Sequence, residues 1–429
     1  MPAGPSGQAA AVVPVSRENR IAFLKKAVVP VRSIDLDDQD FSDLEPLRRL
    51  IGDRRVVLLG ETTHADGATF AAKARLIRFL YERMGFDVLA FEGGFYDVRK
   101  VWTFLRNGED PLSSVRSGLF VDWTDSGQTQ SLWRYLAERS KTDRPLEVAG
   151  FDLQFTGGAS REHLVKDLND YLLKAGVTAE TADIAARVSY VLRHLTNNLI
   201  LFQKIGPEER TSVRKAVADL GRALQGIPNL SGNEAVERDY WFQLLKSSAA
   251  MMELAWNIDL EARAPGSAGA DTFNRRDRQM GENFVWLAKH AFPTRKIVAW
   301  SAMSHVIRNR DSVLEGPLVS MGDWIDKAMG SEVYTLGFTA YQGRFGKPGA
   351  ALPFEIKPAD EGSLEDLMFR ADFTYAWLDF RNLPTDGRWL QGPLSSRTIG
   401  YQFKTADWTK IMDGIFFIRE MTPSAPLAK

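Results

Sequence analysis

The 429-residue chain has no cysteine. That excludes a thiol nucleophile, a disulfide framework and thiolate metal ligands, and it leaves the redox compartment undetermined. No apolar run approaches the roughly 20 residues needed to span a bilayer. Neither sign of charge is in excess: Lys and Arg total 54, Asp and Glu total 55, and the formal net charge is -1. Such a balance gives no electrostatic reason to expect nucleic acid or an anionic membrane as a partner. The G-x-S-x-G elbow of serine hydrolases is also missing, so a serine acyl-enzyme has no support. Histidine is scarce, with five in the whole chain, which makes the position of each one informative.

What is present is a globular composition. At 44% hydrophobic and 25% charged, the chain can bury a full core as one large or two to three ordinary domains. Most of the 11 Trp and 25 Phe are expected to fill that core, with a few lining a pocket. Met1 to Ser16 is rich in Ala, Pro and Gly and lacks a basic start and an apolar centre. It reads as part of a flexible tail (residues 1–20), not as a secretion signal, with the cytoplasm as the default location.

Four short apolar runs read as strands: Val56-Val57-Leu58-Leu59, Val88-Leu89-Ala90-Phe91, Leu146-Glu147-Val148-Ala149 and Ile297-Val298-Ala299-Trp300. Between the first two, Phe70, Ile77, Tyr81 and Met84 share one helical face, and Gly85 stops the helix. Strand, helix, strand with short connections is the pattern of a parallel sheet buried on both faces. Later strand-like stretches are residues 333–338, 373–380 and 414–418. Residues 159–290 show helical spacing, punctuated by Ile205-Gly206-Pro207, Ile227-Pro228-Asn229 and Pro265-Gly266-Ser267. The expected architecture is therefore α/β: a mostly parallel central sheet flanked by helices. Its two halves (21–158 and 291–429) are separated by a helical insertion forming a lid or cap. Trp241, Met251, Met252 and Trp256 are candidates for the wall that this insertion turns toward a crevice, or for plain helix-on-helix packing.

The chemistry lies at the strand ends. The first strand ends in Gly60-Glu61-Thr62-Thr63-His64-Ala65-Asp66-Gly67, the second in Phe91-Glu92-Gly93-Gly94, the third in Gly150-Phe151-Asp152-Leu153-Gln154, and the fourth in Ser301-Ala302-Met303-Ser304-His305. Ligands of parallel α/β sheets bind beyond the carboxyl ends of the strands. If the four strands run parallel, these groups share one rim. His163, His194 and His290 fall in helical patterns and read as ordinary partly buried or surface residues. Arg276 and Asp277 read as an ion pair on a helix surface or between domains.

Gly60-Glu61-x-x-His64, then a helix, Gly85-Phe86, a strand and Glu92, resembles the opening signature of the erythromycin esterase family. Its relatives include succinoglycan-biosynthesis-like hydrolases. Further stretches match in order: Gly150-Phe151-Asp152; Arg276-Asp277-x-x-Met280-x-x-Asn283; Trp300 with His305; Met321-Gly322; Gly337-Phe338 with Tyr341 and Gly343; and Asp413-Gly414. The resemblance implies metal-independent hydrolysis of a macrolide lactone, with His64 as general base on water and Glu61 and Glu92 supporting it. The chain departs from the family at Thr63, Ala65, Lys73 (an arginine in the family) and Ala302, where a histidine is replaced.

The expected catalytic set is His64, Glu61, Glu92 and His305, with Lys73, Asp152, Trp123 and Trp300 expected to contact substrate. An imidazole titrates near neutral pH and can take a proton from water, and a carboxylate on its other nitrogen fixes the tautomer. The expected partner is a small molecule, a sizeable apolar ester or lactone, and no cofactor is expected. Two alternatives remain open. The two histidines and two carboxylates are a set that Zn²⁺ or Mn²⁺ accepts, and the same crevice could serve non-hydrolytic biosynthesis or simple binding.

Overall fold

In the computed structural model the described residues are 15–176, 179–228, 230–257, 269–314 and 316–427. Eleven strands are assigned among them: β1 Val29–Val31, β2 Val56–Glu61, β3 Phe86–Gly94, β4 Glu147–Asp152, β5 Lys296–Ala302, β6 Val333–Phe345, β7 Phe354–Ile356, β8 Tyr375–Asp379, β9 Leu394–Ile399, β10 Gln402–Ala406 and β11 Gly414–Met421. Nine form one sheet in the order β1-β8-β11-β6-β2-β5-β3-β4, with β7 added beside β6, and β9 and β10 form a separate pair. From β11 to β4 every neighbouring pair is parallel, whereas β8 and β1 close the other edge antiparallel. The fold is thus the expected α/β class with a mostly parallel sheet.

Strands β2, β3 and β5 are buried on both faces because both faces of each carry apolar side chains. Val57, Leu59, Leu89, Phe91, Val298 and Trp300 enter one core; Val56, Leu58, Val88, Ala90, Ile297 and Ala299 enter the other. The alternation follows from the two-residue period of a strand. Helix Gly67–Met84 carries the chain from β2 to β3 and ends at Gly85, whose φ of 77° is the left-handed conformation that glycine adopts without a Cβ penalty. At Gly60 a Cβ would lie 2.9 Å from the Met303 Cα, so only glycine lets the turn after β5 pack this closely on β2.

Between β4 and β5 the insertion is built of helices Gly158–Lys174, Ala179–Asn197, Leu199–Gln203, Pro207–Gln225, Gly232–Asn257 and Ala270–Trp286. It packs on the sheet face that carries Val56 and Leu58. Its last helix reaches the strand ends, where Asn283 Nδ2 donates to the Phe151 carbonyl at 3.0 Å. Met251 and Met252 are buried in this core. Trp241 stacks on Tyr171 and Trp256 on Phe202, so all four residues pack helix on helix. The Pro265-Gly266-Ser267 break, Asn229 and residues 1–14 of the expected tail lie outside the described residues. From Ser16, which caps helix Arg17–Ala27, the chain is structured. No helix among the described residues is long and apolar enough to cross a membrane.

Candidate active site

Adjacent strands β5 and β3 send their connections in opposite directions, β5 toward β6 and β3 toward β4. A reversal of this kind marks the carboxyl-end edge at which α/β sheets place ligands. Glu61 is the last residue of β2, Glu92 lies near the end of β3, and Asp152 closes β4. After Ala302, the last residue of β5, a single helical turn (Met303–Val306) presents His305.

Glu61 is fully buried. Its Oε1 faces His64 Nδ1 at 2.9 Å and accepts from Trp123 Nε1 at 3.2 Å. Its Oε2 is paired with the Lys73 ammonium, which also donates to the Ser301 carbonyl at 3.0 Å. Burial pushes the Lys73 ammonium well below its ordinary value, opposed by the Glu92 charge. The His64 ring stands edge-on to Trp123 at 5.3 Å and beside Phe120. Its side chain is 34% exposed, with Nε2 3.9 Å from Glu92 Oε1. That distance exceeds a hydrogen bond. The imidazole is therefore anchored on one nitrogen and open on the other.

Glu92 Oε2 accepts from Ser301 Oγ at 2.8 Å and from the Ala302 N–H at 2.9 Å, while Oε1 accepts from Arg276 Nη2 at 3.2 Å. Burial works against its charge, but His305, His64, Arg276 and the Ala302 N–H together hold the carboxyl well below the usual carboxylate range. His305 Nδ1 lies 2.9 Å from both oxygens of Asp277, and its Nε2 lies 3.3 Å from Glu92 Oε1. Phe273 stacks parallel on the His305 ring at 5.6 Å, and the Arg310 guanidinium lies over the Phe273 ring at 3.6 Å. Arg276 also binds Asp152 at 2.6 Å. Although burial opposes its charge, Asp152 and Glu92 raise the Arg276 pKa above its ordinary value.

The expected residues Glu61, His64, Glu92, Asp152 and His305 thus meet at one rim. Lys73, Trp123 and Trp300, expected to contact substrate, are fully buried. Lys73 and Trp123 hold Glu61, and Trp300 lies beneath the Lys73 ammonium at 4.8 Å. Arg276 and Asp277, which read in the sequence as a surface or interdomain ion pair, belong to the site instead: one bridges Glu92 and Asp152, the other orients His305. A signal existed. Phe273, Arg276, Asp277 and Met280 follow i, i+3, i+4, i+7 spacing, which is one helical face, and a charged pair inside a stripe that buries Met280 has to be partnered. Asp66, which the first strand end also carries, supports the His64 loop from within. It is buried and accepts from Thr63 N at 2.9 Å and Thr63 Oγ1 at 2.7 Å, and burial raises its carboxyl to about 7. Among the described residues no group of three or more His, Asp or Glu side chains is arranged to hold a metal ion.

The sequence profile described as erythromycin esterase matches residues 81–421. The chain belongs to the erythromycin esterase family. Among curated proteins it is 26% identical over 410 residues to "Putative hydrolase YbfO" of Bacillus subtilis (strain 168), covering 91% of this chain and 89% of that one. It is 24% identical over 422 residues to the erythromycin esterase type II of Escherichia coli, covering 94% and 98%. A mutant of erythromycin esterase EreC, solved in its open conformation, superposes with a TM-score of 0.67 at 17% identity, covering 94% of this chain and 99% of that one. At that identity the superposition speaks for the fold alone. Family membership makes the chain hydrolase-like, with a small molecule as substrate.

Proposed function

We propose that this protein hydrolyses a carboxylic ester or macrolactone by direct attack of water activated by His64. The observation that carries the reading is the state of that imidazole. Its Nδ1 is fixed on buried Glu61, and its Nε2 stands 3.9 Å from Glu92 Oε1 without a hydrogen bond, on a side chain that is 34% exposed. An Nδ1–H donated to Glu61 leaves the Nε2 lone pair as the base. Water gives a proton to Nε2 while its oxygen bonds to the carbonyl carbon, and the carbonyl oxygen becomes an oxyanion. Arg276 stands at the same rim as the fixed positive charge available to that oxyanion, preorganised by Asp152 and Glu92. Collapse breaks the bond to the alkoxy oxygen, which leaves as the alcohol with the proton from His64. The products are one acid and one alcohol, or a ring-opened hydroxy acid. His305, held by Asp277, is the second imidazole within reach of Glu92 and serves to position and stabilise the charge there.

The test is a product-resolved mass-spectrometric screen of macrolides, simpler lactones and open-chain esters with wild-type and His64→Ala protein. The expected product has gained one water. The variant should lose on the order of 10²–10⁴ in rate while its circular dichroism is unchanged. Undiminished turnover by the variant would eliminate the mechanism.

A further inference from the structure

Beside the His64 loop stands a hairpin that exposes apolar side chains. β6 runs on beyond the sheet to Phe345, turns through residues 346–353 and returns as β7, where Phe354 pairs with Phe345. Leu352 is 87% exposed and Phe354 67% exposed. Phe354 stacks on Phe345 at 5.1 Å, and Phe345 meets Tyr401 at 5.2 Å. The hairpin is tied to the site. Gly346 N donates to the carbonyl of Ala65, the neighbour of His64, at 3.1 Å, and Ser424 N donates to the same carbonyl at 3.3 Å. On its other side Lys347 pairs with Asp122 at 2.9 Å, next to Trp123, where Val121 is 63% exposed. Exposed apolar groups on a segment bonded to a candidate site mark a binding surface more often than scattered ones do.

We infer that Leu352 and Phe354 form a specificity rim that holds the apolar part of an ester whose carbonyl is presented to His64. This rests on the hydrolase reading above. The occupant is argued from continuity: the patch is bonded to the residue after His64. The strand-end groups are polar and spent on one another (Glu61 on Lys73, Glu92 and Asp152 on Arg276), so apolar affinity comes from the rim. Each methylene removed from water is worth roughly fourfold in affinity, so an eight-carbon acyl chain should be favoured strongly over a two-carbon one.

The experiment compares p-nitrophenyl octanoate with p-nitrophenyl acetate, and calorimetric binding of octanamide, which keeps the chain but resists hydrolysis. The proteins are wild type, the double variant Leu352→Asp/Phe354→Asp, the milder single variant Leu352→Asp, and an exposed-leucine control, Leu173→Asp, on the insertion. The expected result is an octanoate-to-acetate ratio of kcat/KM that falls at least tenfold in the double variant. Octanamide binding should weaken in step, the single variant should be intermediate, and the control should match wild type. If wild type turns over neither ester but its octanamide binding still weakens in the variants, the rim stands and the hydrolase reading falls. An unchanged ratio with unchanged octanamide binding, or no octanamide binding by wild type, overturns the rim and leaves the hydrolase reading untouched. A concentration-dependent dimer in light scattering that Phe354→Asp abolishes would assign the patch to a second copy of the chain and likewise overturn it.

Discussion

Replacing Lys73 by methionine should destabilise the protein by about 3–5 kcal/mol, the usual cost of breaking a buried ion pair by removing one partner. Methionine keeps the length and apolar stem of lysine, so the packing over Trp300 survives. What is lost is the only ammonium paired with fully buried Glu61 among the described residues, together with the donor to the Ser301 carbonyl. Near its midpoint, unfolding entropy is about 2.1 cal/mol/K per residue, or ~0.9 kcal/mol/K for the 429 residues. The melting temperature should therefore fall by only ~3–6 °C. Because so large a chain hides stability changes in Tm, the decisive assay is a double-mutant cycle by urea denaturation. Glu61→Gln alone should also be costly, whereas Lys73→Met/Glu61→Gln, which removes both charges, should recover at least ~2 kcal/mol of the summed loss. Additive effects would refute the claim that the two groups are energetically one unit.

The same geometry gives three other expected outcomes. Asp277→Asn, which keeps the shape but takes the carboxylate from His305 Nδ1, should lower kcat by roughly tenfold or more without loss of fold, by analogy with the carboxylates that orient metal-bound histidines. An unchanged kcat would remove His305 from the mechanism. Buried Asp66 has its carboxyl raised from 3.8 to about 7, so between those values the folded state binds more protons than the unfolded one. Stability should fall as pH rises from 4 to 7, by up to on the order of 4 kcal/mol, and Asp66→Asn should flatten that slope in denaturation series. Exhaustive dialysis against a chelator should leave ester turnover unchanged, and its loss with recovery on adding Zn²⁺ or Mn²⁺ would point to the metal-dependent route.

The four strands β2, β3, β4 and β5 were legible because burial of both faces demands apolar runs, and Val56–Glu61 or Lys296–Ala302 have no other use for them. Once those strands are parallel, Glu61, Glu92, Asp152 and His305 converge with no further information. The short edge strands were not legible. Val29–Val31 and Phe354–Ile356 are three residues long, and β9 and β10 mix polar and apolar residues, so none shows a period. The roles of Lys73 and Trp300 differ from expectation because spacing says which side chains approach a site but not which lie beneath it. Arg276 and Asp277 escaped the site because a charged pair on a helix face reads as solvated until the element it packs against is known, even though their spacing with Phe273 and Met280 marks a single face. Here the helix lies across the strand ends, and a long guanidinium and a short carboxylate reach different targets from adjacent positions.

The claim on which the rest depends is that His64 Nε2 removes a proton from water. It is tested most directly by chemical rescue, measuring ester hydrolysis by His64→Ala with increasing imidazole in solution. The partly exposed crevice should admit the free base, so the variant should be inactive alone and regain turnover in proportion to the unprotonated imidazole concentration. Full activity of the variant without imidazole would contradict the account.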